Sequence, residues 1–292
     1  SWRRYSYGNF TGIRIMGVFQ NNLLAGAAAA ASSGAAGFYS HQIEQSCRFD
    51  DGSSSYLSRT HSGTATNEDV GLLSFWFKRG NNVGSTTNEC IAGGDGSGNL
   101  RIEFNTNNPT GYNDAVTMTI NGGGAAYTTE ARYRDTSGWT NFIIEYNSDD
   151  GTSADRFKWY INGLIYPSFT DSDFWSNSGA TSITSGLDFA FTKNGGTTNF
   201  GRSPANSGSY YDGYIAEVIV VDGSAAYTDV GEFKNGVWIP KEYTGSFGNN
   251  GYHLKFENAS DLGNDSSGNN NDFSASGLGT DHQVLDSPTF GS

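Results

Sequence analysis

The chain has 292 residues, of which 36% are hydrophobic and 16% charged, with a formal net charge of -13, 40 glycines and five prolines. That length and composition can bury a sizeable core in one large β domain with extensions, while the acidic balance excludes nucleic acid as the main partner, because binding phosphates takes a surface of Lys and Arg. No run approaches the ~18 apolar residues of a membrane-crossing helix, and the two cysteines, Cys47 and Cys90, sit beside strand-like runs where small buried thiols are common.

The first region, residues 1–37, holds Arg3, Arg4 and Arg14, and no acid occurs before Glu44. The other 14 basic residues then face 30 acidic ones, so a basic arm precedes an acidic body. Its Ala, Gly and Ser offer little to bury and no strand period. It reads either as a flexible tether or as an arm ordered by neighbouring subunits. Gln20, Asn21 and Asn22 interrupt the one apolar stretch, which makes it an assembly or linker segment and not a secretory signal.

From Phe49 onward the apolar period becomes two. "LLSFWFKRG" sets Trp76 opposite Phe75 and Phe77, as core for a second face. "LRIEF" puts Leu100, Ile102 and Phe104 on one face against Arg101 and Glu103, and "AVTMTI" sets Val116, Met118 and Ile120 against Thr117 and Thr119. Both read as half-buried strands. "RFKWYINGLIY" alternates and then turns at Asn162-Gly163, the pair suited to a two-residue type I′ hairpin. "LDFAF" (187–191) and "YHLKF" (252–256) alternate equally well, and "YIAEVIVV" is apolar on both faces apart from Glu217, as in a strand covered on both sides. No segment of comparable length shows a helical period, so any helix should be a single turn. The expected fold is all-β, two antiparallel sheets packed face to face.

The order of "RFDDGSSSYLSRT", "LLSFWFKRG", "WTNFIIEYN", "FKWYINGLIY" and "YYDGYIAEVIVVDG" resembles the concanavalin A-like, laminin-G-type jelly roll over about residues 45–225. The tail from "EFKNGVWIPKEY" to "DHQVLDSPTF", with "FYSHQIEQSCRF" ahead of the sandwich, is similar to structural proteins of tailed, particularly marine, bacteriophages. That resemblance implies a virion component: a tail or fibre protein, or a capsid surface protein, whose partners are other virion proteins, further copies of itself and host surface glycans. With the arm or anchor read from composition at 1–37, the resemblance implies a sandwich at 38–225 and an extension at 226–292 that completes it. A "YHLKFEN…DSSGNNNDF" unit normally opens such a sandwich, yet here it follows the closing strand. Either this tail returns to pair inside its own sandwich or it begins a second unit. The return is favoured, because an isolated apolar face on Tyr252, Leu254 and Phe256 would leave unpaired edges.

The chemistry points to binding or assembly and to no catalytic residues. Laminarinase-like members of the superfamily use Glu-x-Asp-x-Glu on one strand, because alternate residues share a cleft, and no such triplet occurs. Asp171 and Asp173 are two apart in a loop-like surround. His41, His61, His253 and His282 show no metal-ligand spacing. Calcium is the candidate cofactor: "DSSGNNND" supplies Asp265, Asn269, Asp272 and backbone carbonyls, although the same residue types are ordinary turn formers. For a glycan or a subunit interface, Trp175, Tyr210 and Tyr211 stand among Asn, Ser and Asp.

Overall fold

The computed structural model describes residues 37–81, 88–94, 100–105, 114–120, 125–166, 174–176, 183–204 and 208–289. They form two antiparallel sheets and one separate hairpin. In spatial order the first sheet is β10 (Leu164–Ile165), β9 (Phe157–Ile161), β8 (Thr140–Asn147), β3 (Val70–Arg79), β13 (Gly213–Asp222), β1 (Ser46–Phe49) and β18 (Gln283–Val284), with β16 (Tyr252–Leu254) also on β13. The second is β11 (Phe174–Ser176), β7 (Ala125–Thr129), β6 (Ala115–Ile120), β5 (Leu100–Asn105), β4 (Glu89–Gly94), β12 (Thr197–Phe200), β2 (Tyr56–Thr60) and β17 (Ser274–Ser276). Helix among the described residues is limited to single 3₁₀ turns at Ser153–Asp155, Tyr227–Asp229 and Thr280–His282.

Alternation decides what lies between the sheets. Phe75, Phe77, Phe142 and Trp159 from the first meet Ile102, Phe104, Met118 and Phe200 from the second in one aromatic-rich core. Phe75 stacks on Phe142 at 5.5 Å, and Phe77 meets Phe104 edge-on at 5.7 Å, the offset geometries that ring quadrupoles favour. A second cluster lies on the outer side of the first sheet, where Leu72, Trp76, Ile143, Tyr160, Ile219 and Val221 pack beneath Ile43, Val230 and Trp238. The cover is the hairpin of β14 (Gly231–Lys234) and β15 (Val237–Pro240), joined by the segment before β1. Trp238 is pinned there by its indole N–H, which donates to Asn141 Oδ1 at 2.8 Å. Two covered faces explain why β13 is apolar on both.

Asn162 and Gly163 have φ of 49° and 72°, as a type I′ turn requires. A Cβ at Gly163 would lie 2.1 Å from the Trp238 ring, so this turn also fits only a glycine for space. The "LDFAF" run differs from its expectation. It is not a strand: Phe189 N–H donates to Glu68 C=O, and Thr192 and Lys193 N–H both fold back onto Phe189 C=O, a turn and not a ladder. Phe189 and Phe191 are nonetheless fully buried, and Phe189 fills the space over Gly71. Their apolar character reflects core filling from a connector.

The tail runs back through the sandwich. β16 pairs with β13, β17 with β2 and β18 with β1, and Tyr252, Leu254, Phe256 and Phe273 join the core between the sheets.

Candidate functional site

The outer face of the second sheet carries the polar alternates of its strands. Register aligns Ser58, Asn199, Gly93, Arg101, Thr119 and Ala126 in one row across six strands. The next row runs Cys90, Glu103, Thr117, Thr128 and Trp175. From β2 to β11 the face is about 29 Å wide at the usual strand spacing. Sequence alternation read Arg101, Glu103, Thr117 and Thr119 as the exposed side of half-buried strands. In the structure Glu103 is 3% exposed and Thr117 and Asn199 are fully buried. Part of the cover is Pro204, which sits where a Gly93 Cβ would be.

Burial leaves several of these groups unmatched. Among the described residues, both side-chain atoms of Asn199, Glu103 Oε2, Arg101 Nε and Ser203 Oγ have no hydrogen-bond partner. A buried polar atom without a partner costs ~1–3 kcal/mol, so a cluster of them needs a reason, and function is a common one. Thr117 and Thr128 satisfy each other at 3.0 Å, and Thr119 donates weakly to Glu103 at 3.5 Å. Burial raises the Glu103 carboxyl above its ordinary value, partly opposed by Arg101 and by the Thr119 hydrogen bond. At the β2 end the face closes on an aromatic and cationic corner. The Arg202 guanidinium lies 3.8 Å over the Tyr56 ring, and Tyr210 stands 6.3 Å from Tyr56 and bridges Arg202 through the backbone.

The residues singled out from sequence separate here. Tyr210 belongs to this corner and is half-buried. Its neighbour Tyr211 points the opposite way: it is fully buried, its hydroxyl donates to Lys78 C=O at 2.8 Å, and it packs against Phe49 and Phe104. A ligand-facing role for Tyr211 is therefore replaced by a core role. Trp175 pairs in register with Thr128 on the edge strand β11, while Asp171 and Asp173 fall outside the described residues. Asn199, Arg101 and Glu103 were missed because alternation marks them only as the polar side of a strand. Their burial comes from chain segments distant in sequence.

The loop with Asp265, Asn269 and Asp272 is a hydrogen-bond hub. Asp265 Oδ1 accepts from the backbone N–H of His253 and Ser267, each at 2.8 Å. Its Oδ2 accepts from Asn271 N–H and the Ser267 hydroxyl at 2.8 and 2.7 Å. Asp272 Oδ1 takes the Asp265 N–H, and the Asn269 amide donates to Gly248 and Gly251 carbonyls. These four donors already occupy much of the acceptor capacity of the Asp265 carboxylate. Among the described residues, Asp50, Asp51 and Asp212 also bring one carboxylate oxygen each within 4.8 Å of one another. Arg48 lies 2.6 Å from Asp212, and Ser53 and Gly52 donate to Asp50, so charge and hydrogen bonds are already partly met.

Cys47 faces the core between the sheets, whereas Cys90 alternates to the outer face of the second; both are free thiols.

No protein-family model matches the sequence, and no curated protein is similar to it. Solved structures do match. A "putative carbohydrate binding protein" from Bacteroides ovatus aligns over 81% of this chain and 58% of its own, at 17% identity and a TM-score of 0.52. A heptameric SAP-like pentraxin from Limulus polyphemus aligns over 64% of this chain and 80% of its own, at 12% identity and a TM-score of 0.41. The LG1–3 region of the laminin α2 chain covers 61% of this chain and 31% of its own, at 12% identity and a TM-score of 0.41. At such identities the likeness is one of fold. The chain is an all-β sandwich of two antiparallel sheets, a fold it shares with the Bacteroides protein.

Proposed function

We propose that the protein is a non-enzymatic, lectin-like component of a phage virion surface that binds host-cell glycans on the outer face of its second sheet. The observation that carries the reading is a row of unmatched polar groups on this face: half-buried Arg101, whose Nε has no partner among the described residues, in one row with Asn199, a buried amide with neither atom paired among them, and beside Glu103. Sugar hydroxyls donate and accept at once, which is what an amide, a guanidinium and a carboxyl in register can use. The Tyr56, Tyr210 and Arg202 corner supplies ring faces at the edge. The Bacteroides protein's name is in keeping with this, and the virion setting rests on the likeness of the sequence to tailed-phage structural proteins. Glycosidic cleavage ordinarily needs two carboxyl groups about 5–10 Å apart. Among the described strand residues of this face Glu103 is the only carboxylate.

The test is binding of the full chain to an array of bacterial surface glycans, comparing wild type with Asn199→Leu and Tyr210→Ala. Loss of a wild-type signal in both variants supports the site. No binding by the wild type to any glycan removes the reading. A second reading, a purely structural subunit, is favoured by Leu164, Ile165 and Phe233, which are 58%, 59% and 48% exposed. It predicts concentration-dependent oligomers in sedimentation that disperse with Leu164→Lys.

A further inference from the structure

Glu217 lies in a position that regular strands do not allow. One edge of β13 is shared by two strands: β1 pairs with residues 213–215 and β16 with residues 218–220. The register against β3 slips between Ala216 and Ile219, and Glu217 takes φ of +48°, a left-handed conformation costly for a residue with a Cβ. The bulge places its carboxylate at the seam between β1 and β16, where it is 5% exposed. Two histidines converge there. His253 Nε2 from β16 lies 2.9 Å from Glu217 Oε1, and His41 Nε2 lies 2.8 Å from the same oxygen.

His41 belongs to the segment at 37–45 that leads from the N-terminal region into β1. That strap is held at several points. Lys234 donates to the Gly37 and Phe38 carbonyls, the Ser40 hydroxyl donates to Glu232 at 2.8 Å, and Ile43 is fastened through its backbone to Thr289 and Ser287. The groups facing Glu217 are therefore His41 from the strap and His253 from β16. Phe247, stacked 5.7 Å from His253, and Trp76, opposite Ala216, bring no charge, while Lys234 and Glu232 sit further along the strap.

We propose that His41, Glu217 and His253 form a proton-operated latch, closing the strap onto the sandwich when an imidazole is protonated and loosening it when both are neutral. A nearly fully buried carboxylate needs a compensating charge. With one imidazolium beside it the trio is neutral; with both imidazoles neutral, a buried anion is held only by two N–H donors. Closing the strap thus takes up a proton, and the imidazole is the side chain that exchanges one near neutrality. In support, although burial alone would raise it, the hydrogen bonds and charge of His253 and His41 hold the Glu217 carboxyl down to about 2. The ties at Ile43 do not titrate, so opening is confined to residues 37–42.

The test is amide hydrogen exchange on the full chain, expressed as protection over the intrinsic rate, between pH 6 and 8.5. Protection of residues 38–42 is expected to fall about tenfold or more over that range in the wild type, while β3 keeps its protection. In Glu217→Gln, and in the double variant His41→Gln with His253→Gln, the pH dependence should vanish. Protection that is flat in the wild type, or that falls equally in the double variant, overturns the latch. Should Glu217→Gln fail to fold, the double variant decides, since glutamine keeps an amide donor at both positions.

Discussion

Replacing Glu89 by glutamine should change how the protein's stability responds to pH. Glu89 opens β4 at one end of the core and is 2% exposed, with neither carboxyl oxygen hydrogen-bonded among the described residues. Arg79 approaches to 3.8 Å, but its guanidinium is committed to Asp114 at 2.8 Å and to Tyr133 C=O at 3.2 Å. Burial therefore prevails over Arg79 and, helped by Asp212, Asp51 and Asp114, pushes the carboxyl from 4.5 up to about 8. A carboxyl raised by folding holds its proton in the native state, so its contribution is complete below pH 4.5 and is lost as pH rises through about 8. Each pH unit in that window is worth ~1.4 kcal/mol, so on the order of 3 kcal/mol is gone by pH 7. Denaturant unfolding of both proteins at pH 5, 6, 7 and 8 isolates the effect, because Glu103 and every other titrating group is common to both. The stability of Glu89→Gln relative to wild type should climb steadily across the series. A constant difference would refute the reasoning, whatever the sign of the offset.

Asn199→Leu should leave stability unchanged or raise it by up to ~1–2 kcal/mol in thermal or denaturant unfolding, because it removes an unmatched buried amide, while abolishing glycan binding; clear destabilisation would make Asn199 a structural residue. Asp265→Ala strips the acceptor from four donors and should cost ~2–4 kcal/mol, equally with calcium or chelator present; a loss seen only with calcium would place calcium at this loop. Gly163→Ala meets both the positive φ and the Trp238 ring, so a cost of roughly 3 kcal/mol is expected, and a melting temperature within a degree of wild type would contradict the turn geometry. Phe189→Ala should cost ~3–5 kcal/mol, as expected of a core residue despite its place in a connector, and near-neutral unfolding would show that the site collapses freely.

Much of the fold was legible because alternation is local. "LRIEF", "AVTMTI" and "FKWYI" became β5, β6 and β9, and Asn162-Gly163 turned where a pair tolerating positive φ must. "LDFAF" shows the limit of that signal. Buried phenylalanines two apart arise from any extended segment that dips into the core, and whether a partner strand lies alongside is not encoded nearby. The site was less legible still. Tyr210 and Tyr211 are indistinguishable as sequence, yet one joins the corner with Arg202 and the other fills the core, because adjacent side chains on extended chain face opposite ways.

Alone, the sequence determined that this chain is all-β, that its strands carry one consistently apolar face, and that β13 must be covered on both sides. Those properties follow from period and residue type within a few positions. Only the tertiary structure decided that the polar faces of β5, β6 and β12 are buried, that Asp265 is saturated by its own loop, and that His41 and His253 meet on Glu217. Each of these depends on contacts between segments far apart in the chain. Burial and electrostatics are set by what the fold brings together, and no local pattern carries that information.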